Sequence, residues 1–266
     1  MKSFQLKTEQ ANLRYHDIPG AGSPLIFVHG LGCASSCDYP SMAADPALAG
    51  RRMLLVDVLG SGFSDRPSNF GYTVDCHAQT IAQLVRHLAC ESLDLFGHSM
   101  GGAVAIAAAG LLGDHVQHLV LSEPNLDPGG GFFSRRIAEM AEADYVTRGH
   151  QDLVRASGAE GSDIWAASLS VSAPYAVHRA AASLVVGSRP SWREQLYALP
   201  ISKTVIFGAA SLPDPDAERL PQDGINVEVV PDAGHSMAWE NPAGLAQAIQ
   251  RALKRRGRRS SNIDLL

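Results

Sequence analysis

No stretch of the sequence approaches the roughly 18–20 consecutive apolar residues that a membrane-spanning helix needs, so no membrane segment is expected. The first ten residues, "MKSFQLKTEQ", lack the apolar core of a secretory signal, which points to a cytoplasmic protein. Cysteine is scarce. Cys33, Cys37, Cys76 and Cys90 are the only four, and none stands in a C-x-x-C pair. That argues against a disulfide framework and gives no zinc signature, so no metal is expected. Neither sign of charge dominates: 27 acidic and 22 basic residues leave a net charge of -5. Nothing global therefore points to nucleic acid or to an anionic membrane. The one basic run, "KRRGRR" at Lys254–Arg259, leads into a tail over 257–266. Such a tail is expected to be flexible and solvated; an element that docks on an acidic partner is the other reading.

What the sequence does hold is enough for one large core. Its 266 residues are 45% hydrophobic and 18% charged, which suits one globular domain or one domain with an insertion. "SFQLKT" and "NLRYHDI" alternate in polarity and predict an antiparallel hairpin. Six continuous apolar runs follow: "PLIFVHG", "RRMLLVDV", "SLDLFGHS", "VQHLVLSE", "KTVIFGA" and "INVEVVPD". Runs of this kind fit a parallel sheet covered on both faces. Helical patterns lie between them, at Val74–Cys90, Gly101–Leu112 and Pro242–Arg255, the last with Asn241 as N-cap and Pro242 at the first helical position. The alternation means a doubly wound α/β fold. It is interrupted from about Pro128 to Pro200, where no strand-like run occurs. There "SRRIAEMAEADYV" and "PYAVHRAAASLVV" predict helices. The predicted organisation is a core of residues 1–127 and 201–256 with a helical insertion over 128–200.

Three segments carry chemistry. "LFGHSMGG", Leu95–Gly102, contains G-x-S-x-G between a strand and an Ala-rich helix, the context that this motif requires. A serine on so tight a turn occupies strained backbone, so its neighbours must lack bulk. Its hydroxyl then projects above the sheet at a helix N-terminus. "VHGLG", Val28–Gly32, ends the first buried strand. Acyl transfer needs backbone N–H groups aimed at the oxyanion; Leu31 and Met100 are the candidate donors, and His29 is read as bonding loop backbone. "DAGHSMAWENP", Asp232–Pro242, places His235 in a loop before the last helix, where a general base belongs in Ser–acid–His chain order. Glu240 and Asn241 read as helix-start residues.

Together with "DVLGSGFSDRP" (Asp57–Pro67), these pieces make the chain resemble the α/β-hydrolase superfamily over nearly its whole length. The resemblance implies a mostly parallel eight-stranded sheet with helices on both faces and a helical cap inserted after strand 6. It implies that Ser99 is the nucleophile and His235 the base, with Leu31 and Met100 as oxyanion donors. It also implies that Asp57, Gly60, Gly62 and Ser64 are structural.

The acid is the open question. Most capped members place an Asp a few residues after the strand that here is "TVIFGA", and this chain has Ser211 there. Three candidates remain: Asp214, Asp127 and Glu123. In one branch of the superfamily, similar to haloalkane dehalogenases and coelenterazine-type luciferases, the acid ends the strand before the cap and is often Glu. That resemblance favours Glu123, which lies 24 residues after Ser99.

A serine nucleophile makes an acyl-enzyme. The expected activity is hydrolysis of a carboxylic ester, thioester or lactone of a small to medium hydrophobic acyl group, with no cofactor. Met237, Trp239 and Trp165 are expected to line the pocket; Tyr145, Tyr175, His150 and His178 are cap residues that suit either a pocket or the cap core. The alternatives are a C–C bond hydrolase, a ligand-binding receptor that barely turns over, and a cofactor-free peroxidase-like side activity. A homodimer is compatible with the sequence.

Overall fold

The computed structural model describes residues 1–255. Eight strands form one sheet: β1 (Lys2–Leu6), β2 (Ala11–Ile18), β3 (Ala21–Val28), β4 (Arg51–Asp57), β5 (Leu93–His98), β6 (Val116–Ser122), β7 (Ser202–Gly208) and β8 (Asn226–Val230). Their spatial order is β1-β2-β4-β3-β5-β6-β7-β8. β1 and β2 form the expected hairpin, from Lys2 opposite Tyr15 to Leu6 opposite Ala11, and β2 pairs antiparallel with β4. Every pair from β4 to β8 is parallel. The apolar runs explain this: residues 25–28 and 53–57 are buried without interruption, because helices cover both faces of the sheet. In β2, buried and half-buried residues alternate, as on a one-sided strand.

Among the described residues the helices of seven or more residues are α1 (Val74–His87), α2 (Met100–Leu112), α3 (Phe132–Ala138), α4 (His150–Ala159), α5 (Asp163–Ser170), α6 (Pro174–Val186), α7 (Trp192–Ala198) and α8 (Pro242–Lys254). α1 and α2 pack on one face of the sheet and α8 on the other, each with its own apolar cluster. Their ends follow from capping chemistry. Thr73 accepts from the Cys76 N–H at 3.1 Å, and Asn241 accepts from the Gly244 N–H at 2.8 Å with Pro242 behind it.

The residues between β6 and β7 form the helical cap, which has its own apolar cluster around Ile137, Tyr145, Leu169 and Val177. One prediction fails here. "SRRIAEMAEADYV" is not one helix: α3 stops at Ala138 and helical turns resume at Glu142. The break is held by α6, whose His178 Nε2–H donates to the freed Met140 carbonyl at 2.8 Å. Arg179 pairs with Glu142 at 2.7 Å on the next residues of the same helix. No described helix is long and apolar enough to cross a membrane. Most of the basic run, and the whole 257–266 tail, lies outside the described residues.

Candidate active site

Ser99 occupies the single residue between β5 and α2, with φ 52° and ψ -119°. A side chain at positive φ is strained, and the packing here leaves no alternative. A Cβ on Gly97 would lie 2.3 Å from the Gly101 carbonyl oxygen, and one on Gly101 would lie 2.3 Å from the Val28 oxygen. The turn is thus pressed against the end of β3. Its peptide groups are pinned as well: Ser99 N–H donates to the Ser122 carbonyl at 2.9 Å, and its own carbonyl accepts from Gly102 N–H at 2.9 Å.

Glu123 follows β6 directly, also at positive φ, with its N–H on the Ile206 carbonyl at 3.1 Å. Its carboxylate faces three donors. Oε2 accepts from His235 Nδ1–H at 2.7 Å and Oε1 accepts from the Gly208 N–H at 2.9 Å, and the Ser211 hydroxyl near it also favours the charged carboxylate. Burial alone would raise the Glu123 pKa, but these bonds outweigh it and hold the carboxyl below its ordinary value. Its side chain is 13% exposed, whereas that of His235 is 54% exposed. The Glu123 carboxylate is therefore shielded and the His235 imidazole is open to solvent. A carboxylate on Nδ1 leaves Nε2 as the free nitrogen. The His98 ring lies 4.7 Å from the His235 ring. The loop itself is tied down by Glu240, which accepts from the Gly234 N–H at 2.7 Å. Glu240 is thus a loop anchor rather than a helix-start residue, while Asn241 is the cap of α8.

The other two candidate acids have other partners. Asp214 caps the short helix Pro215–Arg219 through the Asp216 N–H at 2.8 Å, and Asp127 pairs with Arg193 at 2.6 Å.

The glycine loop after β3 runs beside Ser99: a Cβ on Gly30 would sit 3.4 Å from Ser99 Cβ. His29 is buried beneath it. Its Nδ1–H donates to the Gly30 carbonyl at 2.9 Å, and its Nε2 accepts from the Val58 N–H at 3.1 Å. Burial keeps it neutral by lowering its pKa. Asp57 gathers the next loop, accepting from Ser36 N–H at 2.9 Å and Phe63 N–H at 3.0 Å.

This arrangement, a strained serine on a strand–turn–helix elbow and a His–carboxylate pair on neighbouring loops, coincides with a family match. The sequence matches the alpha/beta hydrolase fold family over residues 23–242. The chain belongs to this family. It is 35% identical over 107 residues to a 2-hydroxy-6-oxo-2,4-heptadienoate hydrolase from Pseudomonas putida, covering 40% of this chain and 38% of that one. It is 32% identical over 117 residues to haloalkane dehalogenase 2 from Mycobacterium bovis, covering 43% and 39%. The chain thus matches less than half the length of these relatives. Over 96% of its length it superposes on a thermophilic esterase from Thermogutta terrifontis, covering 98% of that chain, with a TM-score of 0.75 at 23% identity.

In this member of the family the expected pocket residues separate. Met237 is not a pocket residue: it is 1% exposed and sits in the cluster under the sheet with Phe96 and Leu245. The reason is helix phase, since the short helix Met237–Glu240 turns its first side chain towards the core. Trp239 and Trp165 both reach the cap cluster, beside Leu31 and Cys33 of the glycine loop. Tyr145, His150 and His178 are bonded inside the cap: His150 Nδ1 accepts from the Tyr145 hydroxyl at 3.1 Å, His150 Nε2–H donates to the Leu169 carbonyl at 3.0 Å, and His178 Nε2–H donates to the Met140 carbonyl at 2.8 Å. Tyr175 donates to the Arg66 carbonyl at 2.6 Å. These four residues stitch the cap rather than line a pocket.

Sequence reasoning missed Asp38. It is 4% exposed, and it lines a small cavity with His98, Ser122 and Ser236, the chain neighbours of Ser99, Glu123 and His235. Burial pushes its pKa up to about 7, despite the Cys33 thiol and Trp239 indole that face it. Neither Asp38 Oδ1 nor Trp239 Nε1 has a protein partner at hydrogen-bond distance. No local pattern in "SSCDYP" signals this; only the packing does.

Proposed function

We propose that this alpha/beta hydrolase cleaves a carboxylic ester, thioester or lactone of a small to medium hydrophobic acyl group through an acyl-enzyme on Ser99. The observation that carries this is the 2.7 Å bond between Glu123 and His235 Nδ1, which frees Nε2 to act on an elbow serine. His235 Nε2 takes the Ser99 proton as Oγ attacks the carbonyl carbon. The N–H groups of Leu31 and Met100 receive the oxyanion. Glu123 stabilises the imidazolium without itself taking the proton. His235 then protonates the leaving group, and water repeats the sequence to release the acid. The steps use only these side chains and backbone groups.

The absence of an acid at Ser211 motivated a receptor that barely turns over. With Glu123 on His235, that motive falls away. Ser211 instead lies where its hydroxyl favours the charged form of Glu123. A second reading, a C–C bond hydrolase working through the same triad, is favoured by the relative named 2-hydroxy-6-oxo-2,4-heptadienoate hydrolase. Of the cap arginines that could meet a substrate carboxylate, Arg179 is already paired with Glu142, whereas Arg135 bonds only the Gly130 carbonyl and Arg136 is in no ion pair among the described residues, so α3 is where this reading would place the carboxylate.

The test is p-nitrophenyl butyrate hydrolysis by wild type and Ser99→Ala, with a fluorophosphonate probe to locate the nucleophile. Turnover that disappears in Ser99→Ala, and labelling confined to Ser99, are expected. Labelling elsewhere refutes the assignment. Cleavage of a 6-oxo-dienoate, with no ester turnover, would install the second reading.

A further inference from the structure

We propose that Trp165, on cap helix α5, is a positioning residue that sets the oxyanion loop, so that the cap completes the catalytic site rather than merely covering it. This rests on the reading of Leu31 N–H as an oxyanion donor.

The loop Gly30–Leu31–Gly32 has little stiffness of its own, because glycine on either side of Leu31 opens conformations that other residues avoid. Gly32 uses that freedom, at φ 67°. Two peptide planes determine where the Leu31 N–H points. The first contains that N–H and ends in the Gly30 carbonyl. The core holds it: Gly30 O accepts from His29 Nδ1–H at 2.9 Å and from the Cys33 N–H at 3.2 Å. The second plane carries the Leu31 carbonyl, and the cap holds it: Trp165 Nε1–H donates to Leu31 O at 3.0 Å. With both planes held, the backbone on each side of Leu31 is fixed. With Trp165 removed, the second plane hinges at Gly32.

Packing points the same way. A Cβ on Gly32 would lie 2.7 Å from Leu169 Cδ1 and 3.2 Å from Trp165 Nε1, so α5 rests directly on the loop. Trp165 is only 8% exposed, and the Phe133 ring backs its indole at 4.5 Å between centroids. Leu31 and Cys33 belong to the apolar cluster that Trp165 and Leu169 build in the cap. A residue that only lined a substrate pocket would have no need to spend its N–H on a main-chain carbonyl 134 residues away.

The experiment compares wild type with Trp165→Phe, which keeps an aromatic ring in the cluster and deletes the N–H. Three readouts are taken: kcat and KM for p-nitrophenyl butyrate, the rate of Ser99 labelling by a fluorophosphonate, and solvent exchange of the indole N–H signals. The protein has three tryptophans, so the signal lost in the variant is that of Trp165; Trp192→Phe and Trp239→Phe assign it by elimination should Trp165→Phe fail to fold. The expected result is a slowly exchanging Trp165 N–H, kcat and labelling rate lowered about 10- to 100-fold, and KM within about twofold. The kcat loss is smaller than that for deleting an oxyanion donor outright. A rapidly exchanging indole overturns the proposal. So does a variant that labels at the wild-type rate, or one that raises KM alone, which would return Trp165 to the pocket wall. Wild-type labelling without ester turnover would refute the ester reading while the labelling rates still decide this one. Wild type that neither labels nor turns over sinks both.

Discussion

Glu123 and Asp38 are both largely buried carboxyl groups beside the same loops of the candidate site, and they have opposite electrostatic fates. Glu123 meets His235, the Gly208 N–H and the Ser211 hydroxyl, and its pKa is held down despite burial. Asp38 meets a thiol and an indole that do not close a hydrogen bond to Oδ1, and burial pushes its pKa up to about 7. Burial thus works in the same direction at both sites. The supply of donors decides the charge. A region built to hold an ion surrounds it with N–H and O–H groups, whereas the region behind the glycine loop holds its carboxyl closer to neutrality.

The largest effect that can break this comparison is in turnover. Glu123→Gln should lower p-nitrophenyl butyrate turnover on the order of 10²–10⁴-fold while the fold persists, as expected for loss of a triad acid. Asp38→Asn should leave turnover within several-fold. If the two variants lose activity equally, the division of roles between the carboxyls is wrong.

The next effect is in stability against pH. Asp38 has a folded pKa above its unfolded value, so its favourable contribution is present below about pH 4 and is lost as pH rises to about 7. A rise from 3.8 to about 7 amounts to about 4 kcal/mol at most. Urea unfolding of Asp38→Asn should therefore show a stability that falls less than that of wild type between pH 4 and 7. His98, beside His235, has the opposite sign. His98 is pushed down to about 3 by burial and by His235 beside it, so its contribution is present above about pH 6.5 and is lost as the solution is acidified. His98→Gln should flatten that acid limb. A pH profile that is unchanged in both variants would mean that neither group is held as the structure suggests.

A smaller effect sharpens the point about donors. In the Glu123→Gln background, Ser211→Asp places a carboxylate where the hydroxyl now faces the acid, and about a tenfold recovery of turnover is expected. In the wild-type background the same substitution sets two carboxylates together and should lower turnover at neutral pH. Failure of the double variant to recover would show that the His235 ring is committed to the β6 side. Smallest of all, Ser211→Ala removes one of three donors and should cost about threefold, with the alkaline-going limb of the kcat/KM profile moved slightly upward. An unchanged rate and profile would show that the serine is idle.

Much of the fold was legible because its causes are local. Six continuous apolar runs read as buried strands, and they are the parallel strands β3–β8. Thr73 and Asn241 begin α1 and α8 by bonding residues three positions on. The Ser99 elbow is written in Gly97 and Gly101, whose missing side chains are what permits the turn. Where local periodicity misled, a distant partner was responsible. The helix expected through Met140 is broken with its carbonyl on His178, and Met237, two residues after His235, faces the core because of helix phase.

The sequence by itself determined the strand–helix alternation, the elbow that carries Ser99 and the loop that carries His235, because each depends on residues within a few positions of one another. Which carboxylate meets His235 was decided only in three dimensions. Glu123 and His235 are 112 residues apart, and Asp214 is nearer to His235 in sequence yet caps a helix. The same is true of Asp38, whose charge depends on which groups the fold packs around it, and of Trp165, whose bond to Leu31 spans the cap and the core. Propensity and periodicity report on neighbours along the chain. Hydrogen-bond supply and desolvation depend on neighbours in space, and only the packed sheet brings those together.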